Sequence, residues 1–233
     1  MPLISAALAS AMALVAAVVV ARRESPPTPW VLGMAHALAA GPMLGLAYLL
    51  STAGGERDPR LIALGSVLAV VSIFTAHRSL GVGEMDRLAA DSAVDRRRLA
   101  LTSALHDGAE GLALGCAFVL DVRLGWATAL TLALHNLGEG AALMAALRRA
   151  PGGALGRVVL ANLPTILLAP VPWVVAQHYA LGFALLLGAS VGSMLYLVLV
   201  DLLPEAYEHA GHASIAVVVS AGLALVVAFE GLA

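Results

Sequence analysis

Eight apolar stretches, each set off from the next by a short polar or turn-forming segment, run the length of this sequence: about 2–21, 31–51, 61–76, 99–120, 124–147, 158–177, 180–203 and 213–232. A helix needs about 20 mostly apolar residues to cross a hydrocarbon layer about 30 Å thick. In lipid every backbone N–H and C=O must be satisfied internally, and for runs of this length the α-helix does so. Composition points the same way: 61% of the residues are hydrophobic and 12% charged, where a soluble domain carries about 25% charged residues. That balance excludes a water-soluble fold with a polar surface, nucleic-acid binding and intrinsic disorder. The expected architecture is a single all-α integral membrane domain over residues 1–233, with eight transmembrane helices.

The breaks carry helix-stop and turn chemistry. They are Arg22 to Pro27, Gly54 to Pro59, Asp121-Val122-Arg123, Arg148 to Gly153, Gln177-His178-Tyr179 and Pro204 to His212. The polar stretch 77–98 is the one long loop and reads as a solvated cytosolic connector. With the N-terminus outside, ten arginines face the cytoplasm (Arg22, Arg23, Arg78, Arg87, Arg96, Arg97, Arg98, Arg148, Arg149 and Arg157) and three face out (Arg57, Arg60 and Arg123). The positive-inside rule therefore orients the chain with both termini outside. The first run has Ala-x-Ala patterns but lacks a basic segment before it, so it reads as a retained helix. All 13 basic residues are arginine; with the alanine richness this suggests a prokaryotic source, hence the plasma membrane, or the cell inner membrane of a Gram-negative cell. The lone Cys116 excludes a disulfide framework and a Cys-rich zinc ribbon.

Two runs hold ionisable residues where lipid is expected. The fourth reads Leu105-His106-Asp107-Gly108-Ala109-Glu110-Gly111-Leu112-Ala113-Leu114, and the fifth Leu134-His135-Asn136-Leu137-Gly138-Glu139-Gly140-Ala141-Ala142-Leu143. The shared pattern is L-H-[D/N]-x-x-E-G-x-A-L. A charge at the centre of a membrane helix costs about 2.5–3.5 kcal/mol on insertion scales, so it usually has a functional cause. Residues i and i+4 share a helix face, which puts His106 under Glu110 and His135 under Glu139. Asp107 and Asn136 turn about 100° away. The short connection at Asp121 makes the two helices antiparallel neighbours, so the imidazoles and carboxylates can converge. Gly111 and Gly140 are expected to let these two backbones approach closely or to let a helix bend. Imidazole and carboxylate together suit Zn²⁺, Fe²⁺, Mn²⁺ and similar ions. The residues themselves leave open a metal or proton pathway, polar groups that hold helices together, and a bis-imidazole haem site, which has no need of paired glutamates. The H-E-x-x-H pattern of zinc proteases is absent. His36 reads as a lone hydrogen-bonding partner, His77 as an interfacial residue hydrated at the end of the third run, and Met144 and Met194 as packing.

At these residues the chain resembles the ZIP (Zrt/Irt-like) family of divalent-metal transporters, whose fourth helix carries H-N-x-P-E-G-type motifs and whose fifth carries a related H-x-x-x-E. The seventh run extends the likeness: Gly188-Ala189-Ser190-Val191-Gly192-Ser193-Met194-Leu195-Tyr196, then Asp201-Leu202-Leu203-Pro204-Glu205-Ala206, resembles the family's G-A-x-x-G-x-M-x-Y…[E/D]-L-x-P-E-A. Ala39-Ala40-Gly41-Pro42-Met43-Leu44-Gly45 in the second run resembles its A-x-G-x-x-L stretch. The resemblance implies a two-site metal pathway at the membrane midplane. His106, Glu110, His135 and Glu139 fall on the main site; Asp107 and Asn136 fall on a second, with Glu110 and Glu139 bridging; Met43 is a soft ligand on the outer side. It also implies alternating access, in which a bundle containing helices four and five slides against the rest. The chain departs from the family pattern at Asp107, where Asn is common, at Leu163, where a Glu usually precedes Pro164, and at Ala109 and Gly138, which replace the motif proline. Either Asp107 compensates for Leu163, or the second position binds metal weakly or not at all. Glu208, His209 and His212 read as solvated loop residues, Asp201 and Glu205 as lying near the cytosolic mouth, and Glu230 as interfacial.

The expected function is movement of a divalent metal ion, zinc first and iron, manganese, cobalt or cadmium otherwise, into the cytoplasm. The metal is the transported substrate, with no prosthetic group, and the chain is not an enzyme. A membrane hydrolase activating water at the same cluster is the alternative. The expected partners are the divalent ion, the lipid bilayer and, as an option, a second copy of the chain in a homodimer.

Overall fold

A computed structural model describes residues 1–25, 27–54, 57–81, 93–147 and 153–232. All regular structure among them is helical: α1 Pro2–Ala21, α2 Pro29–Ala53, α3 Pro59–Leu80, α4 Ala93–Leu120, α5 Val122–Leu147, α6 Ala154–Leu168, α7 Val171–His178, α8 Ala180–Leu197, α9 Leu203–His209 and α10 His212–Leu232. A π-helical turn, Val198–Leu202, joins α8 to α9.

Local chemistry accounts for the boundaries. Thr28 caps α2, accepting from the Val31 N–H at 3.4 Å, and Asp58 caps α3, accepting from the Arg60 N–H at 2.9 Å. Each is followed by a proline at the first helical position, where the missing N–H costs nothing. Gly81, at φ 65°, ends α3 in the left-handed conformation that favours glycine. Asp121 alone separates α4 from α5. Its Oδ1 accepts from the N–H groups of Arg123 and Leu124 at 2.8 and 3.1 Å, so one residue both ends α4 and starts its antiparallel neighbour.

Among the described residues six helical stretches are long and apolar enough to cross a membrane: Pro2–Ala21, Pro29–Ala53, Pro59–Leu80, Val122–Leu147, Ala154–His178 and Ala180–His209. This is a multi-span arrangement. The fifth of these is α6 and α7 together, interrupted at Ala169 and Pro170, because proline cannot donate to the preceding turn. α4 is the longest helix at 28 residues; the acids and arginines along it keep it off that apolar list. The stretch read as a loop, 77–98, is largely helix at both ends: α3 continues to Leu80 and α4 already begins at Ala93. The rest of that loop, with Glu84, Asp86, Arg87 and Asp91, lies outside the described residues, as do Arg148, Arg149 and the side chain of Glu230.

α4 and α5 lie at the centre. α1 and α2 pack on α5; α6 and α8 pack on α4; α3 is carried by α8 and α10 by α2. The main apolar core (Met43, Leu46, Leu50, Leu114, Leu132, Phe183 and Leu187 among its members) fills the half of the bundle nearer the α4–α5 turn. Gly111 and Gly140, the glycines that follow each motif glutamate, act differently from the expectation. The open side of Gly111 faces the backbone of Thr165 on α6, and that of Gly140 faces the backbone of Ala13 on α1. They let outer helices close onto the central pair rather than bringing α4 and α5 together. A Cβ at either would strike main chain.

Candidate metal centre

The site follows from the register of the antiparallel pair. His106 stands fifteen residues before Asp121 and His135 fourteen after it, so the imidazoles meet at one level. Their rings stack at 5.2 Å with 6° between planes, and the two Nε2 atoms are 3.0 Å apart. Each glutamate lies four residues beyond its histidine, about 6 Å along its own helix. In an antiparallel pair those displacements are opposite, so the two carboxylates reach back to the histidine level from either side. Glu110 Oε1 lies 2.7 Å from His135 Nε2 and 3.5 Å from His106 Nε2. Glu139 Oε2 lies 3.5 Å from His135 Nε2 and 3.9 Å from His106 Nε2. One donor atom from each of the four lies within 4.8 Å of all the others.

The geometry has a direct chemical reading. A tetrahedral ion with ligand distances of about 2.0–2.2 Å has donor–donor edges of about 3.3–3.6 Å, and the measured edges scatter about that range. The Nδ1–H of His135 donates to the Ala39 carbonyl at 2.8 Å. A carbonyl only accepts, so this bond assigns the proton to Nδ1 and turns the Nε2 lone pair into the cluster. Lone pairs of imidazole and carboxylate at this spacing repel one another unless a proton or a metal ion lies among them. Glu110 and His135 are fully buried and His106 is 4% exposed, so water screens that repulsion poorly.

The other expected ligands are placed less completely. Asp107 and Asn136 are fully buried. Thr165 Oγ1 donates to the Asp107 carbonyl oxygen at 3.0 Å and lies 3.5 Å from Asp107 Oδ1. Asp107 Oδ2 and both polar atoms of the Asn136 side chain have no hydrogen-bond partner. Met43 is fully buried in the apolar core with Ala40 and Leu46.

Leu163 is 39% exposed, turned about 100° along α6 from the buried Asn162. Asn162 and Thr165, three apart, form the inward face instead. Asn162 is 5% exposed, and its Oδ1 lacks a partner. The signal for them lay in the sequence as the only polar residues of that apolar helix near Pro164, read one position out of phase.

A narrow cavity of about 70 Å³ leads from His106 and Glu139 along Ser103, Thr102 and Leu99 of α4 and Ala142, Leu143 and Ala146 of α5. His36, Asp201 and Leu202 line its other wall. It therefore runs toward the end of the bundle where α4 begins with Arg96, Arg97 and Arg98. His36 thus lines this cavity. His77 is buried rather than hydrated, 3.8 Å from Asp201 and tilted against the Tyr196 ring at 5.6 Å. Glu205, Glu208 and His209 form a second group with ligand atoms within 4.8 Å of one another. Glu208 and His209 lie on α9 with Glu205 rather than in a loop, and His209 Nδ1–H donates to the Glu205 carbonyl at 2.8 Å.

No family model matches the chain. It is similar to a candidate zinc transporter of Arabidopsis thaliana, 25% identical over 194 residues that make up 79% of this chain and 31% of the relative. It is also similar to zinc transporter ZIP4 of Mus musculus, 35% identical over 124 residues, 52% of this chain and 19% of the relative. The chain thus spans under a third of each relative's length. Both relatives are zinc transporters by name, the second a ZIP protein, and this chain holds a buried His/Glu cluster able to coordinate a metal ion.

Proposed function

We propose that this protein carries divalent metal ions, zinc first, across a prokaryotic plasma membrane into the cytoplasm, through a centre built by His106, Glu110, His135 and Glu139. One observation carries the reading: four ligand atoms within 4.8 Å of one another, at the middle of two long central helices, with a cavity leading away from them toward the end where α4 begins. Four protein donors close a tetrahedral shell, whereas a catalytic zinc keeps one position open for water. In the proposed topology eight helices cross the membrane and both termini are outside. α4 is one of the eight, its acids tolerated because they face the centre of the bundle. The cavity then opens toward the cytoplasm, and the apolar core beyond the histidines closes the outer side. This is the arrangement that alternating access requires for release inward.

The unpartnered buried atoms of Asp107, Asn136 and Asn162 support a second, oxygen-rich position beside the first, shared through the two glutamates; Met43 would serve the outer approach. Buried polar atoms without partners are costly, at about 1–3 kcal/mol each, and an ion would relieve that. Inward movement needs no nucleotide site, since a negative interior favours cation influx by about 2.3 kcal/mol per charge per 100 mV.

The decisive experiment is uptake of Zn²⁺, Fe²⁺, Mn²⁺, Co²⁺ and Cd²⁺ into liposomes holding the purified protein. The reading predicts saturable zinc uptake that is lost in each of His106→Ala, His135→Ala and Glu139→Ala. Equal uptake by protein-free liposomes, or by these variants, would reject it.

A further inference from the structure

Where α3 stops and α4 starts, the described residues leave an open groove of about 470 Å³ lined by Ser79 and Leu80 of α3 and by Val94, Arg97, Arg98 and Leu101 of α4. α3 is carried mainly on α8 and touches α4 little, so the two helix ends stand apart. Positions 94, 97, 98 and 101 are spaced by three and four and therefore share one face of α4. Leu105 continues that face one turn deeper. The apolar members stay exposed, Val94 at 59%, Leu101 at 41% and Leu105 at 36%, and the stripe thus changes along its length from two guanidinium groups to leucines.

Arg98 is partly held in place. It lies 3.9 Å from Asp95 and against the Gly81 turn, where a Cβ would come within 3.3 Å of its guanidinium. One weak ion pair leaves most of its five donors available, and Arg97 is exposed. An arginine pair above an apolar track matches a molecule with an anionic head and a hydrocarbon tail. Free phosphate would leave the leucines unused, and a zwitterionic lipid offers no net charge to the guanidinium groups.

We propose that this groove is a binding site for an anionic phospholipid, with its phosphate between Arg97 and Arg98 and an acyl chain along Leu101 and Leu105. The proposal is independent of what the central cluster carries. The test is native mass spectrometry of the purified full chain, delipidated in detergent and then titrated separately with phosphatidylglycerol, phosphatidylcholine and inorganic phosphate. One phosphatidylglycerol should be retained in preference to phosphatidylcholine. At about 1 kcal/mol per arginine, Arg97→Gln with Arg98→Gln should weaken that binding about 30-fold. Arg22→Gln, at the same end of the bundle but on another helix, should leave it unchanged. Should the double variant fail to fold, Leu101→Asn keeps both charges and is expected to weaken lipid retention about tenfold. Equal retention of the two lipids, unaltered phosphatidylglycerol binding in either variant, or binding of phosphate without lipid would overturn the assignment.

Discussion

Glu110→Gln probes the centre most sharply, because the side chain keeps its shape and loses only its charge. Glu110 is fully buried, with Oε1 2.7 Å from His135 Nε2 and 3.5 Å from His106 Nε2. In the proposed centre that oxygen is one of four donors. Removing a group that merely orients a ligand, as the Ala39 carbonyl orients His135, costs about 10–100-fold in metal affinity. Loss of a direct anionic donor should therefore cost at least about 100-fold, or ~2.7 kcal/mol. At an ion concentration about 100 times the wild-type Kd, binding adds ~2.7 kcal/mol to wild-type stability; the variant, sitting near its own weakened Kd, would gain only ~0.4 kcal/mol. The fold is expected to persist, since Gln fills the same volume. Thermal unfolding of detergent-solubilised protein with and without zinc reads the difference, and liposome uptake reads its consequence. A zinc-induced rise in Tm as large as that of wild type, together with undiminished uptake, would refute the reasoning.

Other outcomes follow from the same geometry. Imidazole and carboxylate bind metal only when unprotonated, so zinc uptake should fall as the medium is acidified and binding should release protons; uptake unchanged between pH 7.5 and 5.5 would contradict the donor set. Gly111→Val and Gly140→Val place carbon against the backbones of Thr165 and Ala13 and should destabilise by about 1–3 kcal/mol each in thermal unfolding, whereas Gly156→Ala, with nothing within 4 Å of the added Cβ, should gain about 0.5–1 kcal/mol. Asn162→Ala should lower metal stoichiometry by elemental analysis if α6 serves the second position, while Leu163→Glu, facing outward, should leave stoichiometry unchanged and impair insertion. For the topology, a cysteine at Ser92 should react with an impermeant reagent only from the cytoplasmic side; the native Cys116 is buried and gives a low background.

Much of this protein is legible along the chain because the membrane simplifies the physics. A solvent without hydrogen-bonding partners forces helices, so apolar runs announce them, and a charge inside such a run is expensive enough to mark function. The paired His-x₃-Glu spacing therefore led directly to the four residues whose donor atoms meet, since i and i+4 share a face whatever surrounds the helix. Partners across space were another matter. That Gly111 and Gly140 serve α6 and α1, that Asn162 rather than Leu163 faces inward, that Ala39 orients His135, that His36 and Asp201 line the cavity and that His77 is buried beside Asp201 all depend on the rotation of one helix about its axis relative to its neighbours. A shift of one residue turns a side chain by about 100°, and in a mostly apolar helix such as α6 the few polar residues do not by themselves say which face is inside. Only the packing of small residues against opposing backbones, settled once all the helices are assembled, decides it.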